Sequence, residues 1–330
     1  MGEKRFKSAY FMRKQVKEDL KEEVRRLQDE LAQLNPVPNV EHVKSENTAI
    51  RSAIRQQQID VARVQSAISP LLISSFLDFH QENHPLYSRI HLKKSWEERS
   101  ATLLGLREKK LGAAYEYVSM RSEVTRWDQP QLSDERFETA TGDTCCVIFQ
   151  TVHFRGVSSL KQVYDALLFS INHAEISISE RLGHVTVRDD YDSVEGKVYN
   201  ARIVSTNDIG ATTELNCIMF SQLLDETNDI CSGEPCGMVV IDSVDEDELY
   251  PYLSSERVRK DVSAAFVLTT NQLQTEGDEL VVTLRRAASV KLHCPEFEMA
   301  EAVWQELQQD AARWGDVILR SIRGVLYSMP

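Results

Sequence analysis

Along the first part of the chain, apolar positions recur in alternating steps of four and three. Leu20, Val24, Leu27, Leu31 and Leu34 form one such stripe, the a/d seam of a coiled coil. Asn35-Pro36-Val37-Pro38 ends it, because proline removes a backbone donor and restricts the residue before it. A longer stripe follows at Val43, Asn47, Ile50, Ile54, Gln57, Val61, Val64, Ile68 and Leu71. Its polar members, Asn47 and Gln57, sit where one polar side chain can fix register. The stripes read either as an arm that dimerises, with a like or unlike partner, or as an internal hairpin folded at residues 35–39. Helix continues from Leu71 to Asp128 with a break at His84-Pro85. Its last piece, from Trp96, carries Leu103, Leu106, Leu111, Ala114 and Val118 on one face. Residues 131–143 are polar and read as a linker. The expected division is an arm over 1–75, a helical connector over 76–130 and a globular domain over 131–330.

From Asp143 the pattern changes to short β-branched and aromatic runs. Thr144–Phe154 predicts a strand. Ser158 or Ser159 caps a helix whose apolar face is Val163, Leu167 and Ile171. Further strands are expected at 176–188, 197–205, 212–221, 237–243, 264–270 and 280–291, with Gly196, Asp208-Ile209-Gly210 and Glu276-Gly277-Asp278 in the turns. A last long helix carries the stripe Val303, Leu307, Ala311, Trp314, Ile318, Ile322 and Val325. Strands joined by tight turns imply an antiparallel sheet. The long amphipathic helix must bury its stripe on that sheet. The expected fold is therefore α+β, a curved antiparallel sheet gripping a long C-terminal helix, with an apolar cavity between the two layers.

Composition and charge narrow the function. Apolar residues make up 42% of 330 residues, enough for a real core, and the net charge of −13 argues against a general nucleic-acid binder. The charge is uneven, however. Lys4, Arg5, Lys7, Arg13, Lys14 and Lys17 stand in a stretch without acids, and a basic segment before heptads invites comparison with a basic zipper. Aligned on Arg13, Arg5 stands where such an arm carries its base-reading asparagine. Ser8 and Ala9 fill the small pair. The first d leucine would fall at Glu23, whereas the stripe places Leu20 at d, three residues early. Arg5, Ser8, Ala9 and Arg13 thus define an alternative reading, a degenerate basic-zipper-like regulator. No charged-then-apolar leader and no membrane-length apolar run is present. The six cysteines lack CxxC spacing and read as reduced, buried thiols. An intracellular protein, cytoplasmic or nuclear, is the expectation.

The strand–helix–six strands–long helix order resembles the START-like helix-grip superfamily. More narrowly, the chain resembles a family of oomycete mating-specific or START-like proteins. The residues that carry this are Pro85-Leu86-Tyr87-Ser88-Arg89-Ile90-His91-Leu92, Arg99-Ser100-Ala101-Thr102-Leu103-Leu104, Tyr199-Asn200-Ala201-Arg202, Asp245-Glu246-Asp247-Glu248-Leu249-Tyr250-Pro251-Tyr252 and Ala312-Arg313-Trp314-Gly315-Asp316. The resemblance implies a helix-grip fold and a lipid or other hydrophobic small molecule as ligand. It names no ligand contact, and fold alone does not fix function.

Catalytic patterns are missing: there is no HExxH, GxSxG, P-loop or GxGxxG, and a non-enzymatic binding protein without cofactor or metal is expected. Cys231 and Cys236 are spaced wrongly for a zinc knuckle. Cys145 reads as a buried strand thiol. Asp242, Asp245, Glu246, Asp247 and Glu248 lack EF-hand order and read as a solvated turn leading into a helix. Phe149, Ile203, Ile218, Phe220, Trp314 and Ile318 are the candidate cavity residues. Arg202 joins them if its side of the strand faces the cavity, where it would meet a ligand head group. Its neighbours Tyr199, Ala201 and Ile203 are the more apolar set and favour the opposite side as the inward one.

Overall fold

The computed structural model describes residues 21–27, 47–50, 53, 57, 84–123, 130–194, 196, 198–231, 233–271 and 280–327. The chain divides into two compact units, Met1–Arg55 and Gln56–Pro330. In the first unit, residues 21–27 and 47–50 are helical, as the heptad stripes require. Val24, Leu27 and Ile50 are exposed there. Most other stripe positions, and the basic tip with Arg5, Ser8, Ala9 and Arg13, lie outside the described residues.

The second unit opens with β1 (His91–Leu92) and α1 (Trp96–Glu123), then β2 (Gln131–Glu138) and β3 (Thr144–Phe154). Next come α2 (Leu160–Asn172) and α3 (Ala174–Leu182), then β4 (Val185–Val194), β5 (Val198–Thr206), β6 (Thr212–Leu224), β7 (Cys236–Ser243) and the short β8 (Glu246–Asp247). The chain closes with β9 (Val258–Asn271), β10 (Val281–Leu292), α4 (Glu301–Asp310) and α5 (Arg313–Tyr327). The main sheet has eight strands in the order β2-β3-β10-β9-β7-β6-β5-β4, with a parallel β1–β8 pair beside it. Neighbours in the main sheet run antiparallel, apart from a short parallel contact of β6 with β9 at Thr213 and Glu214. From β3 onward, leaving aside the two-residue β8, the order is strand, two helices, six strands, two helices. The strand order, with α2 to α5 laid on one face, is consistent with the helix-grip form expected from the sequence.

The sheet is covered on both faces. On one side Val152, Phe154, Phe266, Leu268 and Leu284 pack with Leu167 and Ile171 of α2 and Leu319 and Ile322 of α5. On the other, Phe149, Ile218, Phe220, Met238, Val240 and Val267 pack with Leu103, Leu111, Ala114 and Val118 of α1. Three layers, not two, explain why β7 and β9 read as near-continuous apolar runs. A close approach on the first side occurs at Gly237 of β7. A Cβ there would stand 2.8 Å from Cδ2 of Tyr164 and 3.4 Å from Cδ1 of Leu268. Gly237→Ala is expected to cost about 1–3 kcal/mol by overpacking. An unchanged urea midpoint would show that Tyr164 swings aside freely.

Several expectations need correction. Residues 131–138 are not linker but β2, an edge strand whose polar sequence suits one exposed side. The strand expected at 176–188 begins as helix: Ile178 is buried while Ile176 is exposed, the spacing of a helix face and not a pleat. Gly183, at φ 75°, ends α3 before β4. The long final helix is broken between Asp310 and Arg313, although residues 311–312 are both alanine and nothing local demands a break. Cys231 and Cys236 form a disulfide, and Cys294 is exposed, so only Cys145, Cys146 and Cys217 are the buried thiols expected.

The acidic run 242–248 is solvated only in part, at Glu246 and Glu248, and no helix follows it. Asp242 and Asp247 are both buried. Asp242 pairs with Lys110 of α1 and accepts from the Ser263 hydroxyl at 2.6 Å. Burial pushes its carboxyl up to about 6 against the pull of Lys110. Arg99 of α1 donates to Asp247 at 2.7 and 3.1 Å, to Asp192 at 2.9 Å, to Asn200 at 3.2 Å and to the Lys93 carbonyl at 3.2 Å. Asn216 and the Leu249 and Tyr250 backbone N–H groups also donate to Asp247. Tyr87, Ser88 and Ile90 join through Asp245 and Asp242. Residues from four of the five segments that carry the family resemblance therefore meet in one polar knot, which ties α1 to the sheet.

Candidate functional site

The face of the sheet away from α1 encloses a cavity of about 100 Å³ against α2, α3 and the α4–α5 break. Alternation along each strand decides which side chains reach it. β5 contributes Tyr199, Ala201 and Ile203, and β6 contributes Leu215, Cys217 and Met219. β9 sends in Lys260, Val262, Ala264 and Phe266, and β10 sends in Arg286, Ala288 and Val290. Trp314, Gly315 and Ile318 of α5 close the other side.

Ile203, Trp314 and Ile318 thus line the cavity, and Tyr199, Ala201 and Ile203 form the inward side of β5. Phe149, Ile218 and Phe220 do not line it. They occupy the opposite parity and pack in the α1 layer. With both faces apolar, period-2 alternation could not choose between them. Arg202 is neither a cavity residue nor solvated. It lies in the α1 layer, 2.8 Å from Glu214, and donates to the Tyr250 and Pro251 carbonyls.

Two cavity residues that sequence reasoning missed are cations. Lys260 is 3% exposed and Arg286 is 2% exposed. The Lys260 ammonium lies 3.7 Å from the Trp314 ring centroid and forms no ion pair among the described residues. Burial pushes it down to about 7, although Asp310 of α4 pulls the other way. Asp310 is itself held by Arg313 at 2.6 Å and His184 at 3.6 Å. Arg286 is also lowered by burial. Among the described residues its carboxylate partner is Asp316, 3.4 Å away and well exposed, and its Nε finds no acceptor there. Gly315 makes room for this guanidinium: a Cβ there would stand 2.4 Å from an Nη atom. A signal for both residues was present in the sequence. Lys260 shares the parity of Val262, Ala264 and Phe266, and Arg286 that of Val282, Leu284 and Ala288.

A third cation at the cavity, Arg188, is satisfied by Asp190 at 2.7 Å and by the last carbonyls of α2. The Cys217 thiol is pushed up to about 11 by burial, which keeps it protonated and unreactive. Among the described residues no group of three or more His, Cys, Asp or Glu side chains is placed to hold a metal ion. No described helix is long and apolar enough to cross a membrane.

No family model matches the chain, and no curated protein matches it. Solved structures do. Human STARD10 matches with a TM-score of 0.32 and 11% identity over 62% of this chain and 78% of that one. Protein Ms6760 from Mycobacterium smegmatis matches at 0.28 and 14% identity, over 56% of this chain and 92% of its own. Ara h 8.0201 matches at 0.26 and 11%, over 56% and 99%. At such scores the fold assignment stands on the strand order and helix placement described above.

Proposed function

We propose that the domain is a binding module that holds a small, mostly apolar ligand between the sheet and the α4–α5 break, and that it is not an enzyme. The observation that carries this is the cavity, walled almost wholly by aliphatic and aromatic side chains. Such a wall gains by covering apolar surface, whereas an unfilled void forfeits contact energy. Against catalysis, the titratable groups at the wall are Lys260, Arg286, Arg188, Tyr199 and Cys217. No carboxylate or imidazole stands among the described lining residues to work with them as an acid–base pair. The volume suits a single ring or a short chain; a larger lipid requires α5 to move outward. The heptad stripes supply the second half of the reading, self-association, and Val24, Leu27 and Ile50 are exposed in the single chain.

Native mass spectrometry of the full chain, purified from its own cells, tests both halves. A dimeric mass with a small-molecule increment that is lost on denaturation is expected. A bare mass, with no apolar compound in the organic extract, would remove the ligand half. A monomer at micromolar concentration would remove the other.

A further inference from the structure

Lys260 and Arg286 narrow the ligand class, an inference that rests on the cavity reading above. A charge buried without a partner is costly, and an arginine cannot escape that cost by giving up its proton. Lys260 contacts Trp314 and Arg286 contacts Gly315, so the two cations flank adjacent residues at the start of α5. Neither is neutralised from inside the cavity. The nearby acid, Asp310, is occupied by Arg313 and His184, and Asp316 sits on the surface.

We propose that the cavity takes an apolar monocarboxylic acid, its carboxylate paired with Lys260 and drawn toward Arg286, its hydrocarbon lying along the aliphatic wall. The wall chemistry selects this class. Apart from the Tyr199 phenol it offers no hydroxyl and no side-chain amide, so a polyol or a phosphate would lose more hydrogen bonds to water than it regained. A neutral hydrocarbon would leave both cations uncompensated. A carboxylate supplies the missing charge and draws a proton onto Lys260 as it binds, because an adjacent anion favours the ammonium.

The test is calorimetric titration of the full chain with straight-chain carboxylates from butanoate to dodecanoate and with the matching primary amides. At pH 6 the acids of the preferred length are expected to bind at least tenfold more tightly than the amides. Near pH 8, titrations in two buffers of different ionisation enthalpy are expected to show proton uptake. Lys260→Met is expected to abolish the acid–amide difference. The titratable groups facing Lys260 are Asp310 from α4, with Arg313 and His184 against it, and Cys146 from β3. A His184→Asn control keeps the proton count specific to Lys260. Amides binding as tightly as acids to the wild type would overturn the anionic class while leaving the cavity reading intact. Binding of neither series at any length would overturn both. The proton-uptake measurement needs no variant, so it decides the matter even if Lys260→Met fails to fold.

Discussion

Lys260→Met is expected to make the empty protein more stable, by about 1–4 kcal/mol at pH 6, the size seen when buried ions give way to well-packed apolar side chains. Lys260 is buried, touches Trp314 and forms no ion pair among the described residues. Its folded value is about 7 against an ordinary 10.5. At about 1.4 kcal/mol per pH unit, that difference amounts to roughly 5 kcal/mol of destabilisation when both states are protonated. The sign follows from proton counting. Between pH 7 and 10.5 the unfolded chain binds the proton and the folded one has released it, so wild-type stability rises through that window. Below pH 7 the full cost is present. The advantage of the methionine variant should therefore be largest at pH 6 and decline steadily toward pH 10. Urea unfolding of both proteins across that range, at fixed ionic strength, reads the difference directly. A methionine variant less stable than wild type at pH 6 would mean that Lys260 has a partner that stabilises it.

The same residue shows where sequence reading reached its limit. Arg259-Lys260-Asp261 carries no local sign of burial, yet Asp261 is as buried as Lys260 and is paired with Arg259 at 2.8 Å and His293 at 2.7 Å. Only the parity of Lys260 with Val262, Ala264 and Phe266 assigns it to the interior. That parity has meaning only once β9 is known to begin at Val258, six residues before the strand expected from the apolar run. The strands β5, β6, β7 and β10, the cap of α2 at Ser159 and the stripe of the final helices were legible because each carries a local signal: β-branched runs, a hydroxyl accepting from Gln162, a helical period. The inward side of β5 was legible for the same reason. Phe149, Ile218 and Phe220 fall on the α1 side because α1 covers the second face, which removes the polar half of the alternation. No short-range pattern announces that a helix some hundred residues upstream lies on a strand.

The burial of Asp242 and Asp247 within the acidic run 242–248 was not legible for a related reason. Charges in sequence look solvated unless their partners are visible, and here the partners, Arg99 and Lys110, lie on α1. Four of the five segments that carry the resemblance send residues into the knot, while Tyr199, Ala201, Ala312, Trp314 and Gly315 of those segments line the cavity.

Arg99→Met should therefore be among the most damaging single changes in the domain, costing about 3–5 kcal/mol, the range for removing one partner of a buried ion pair. The side chain is 1% exposed, and every donor edge of its guanidinium is engaged by Asp192, Asp247, Asn200 or the Lys93 carbonyl. Methionine fills part of the volume and leaves Asp247 buried with no cation. In the wild type, burial works to raise the Asp247 carboxyl, but Arg99, the Tyr250 N–H and Asn216 outweigh it and hold the group below its ordinary value. A depressed carboxylate stabilises the fold above its unfolded value and loses that contribution as pH falls through the folded one. Without Arg99 the burial effect is no longer countered by a cation, so folded Asp247 takes up a proton more readily than unfolded Asp247. The deficit of the variant should then shrink as pH drops from 7 to about 4.5. Adding Asp247→Asn should restore part of the loss at pH 7 and remove its pH dependence. Urea unfolding of the two single variants and the double variant gives the coupling energy between the residues. A cost below about 1 kcal/mol for Arg99→Met, or a deficit that grows on acidification, would mean that apolar packing by Leu103, Leu111 and Val118 holds α1 in place without the knot.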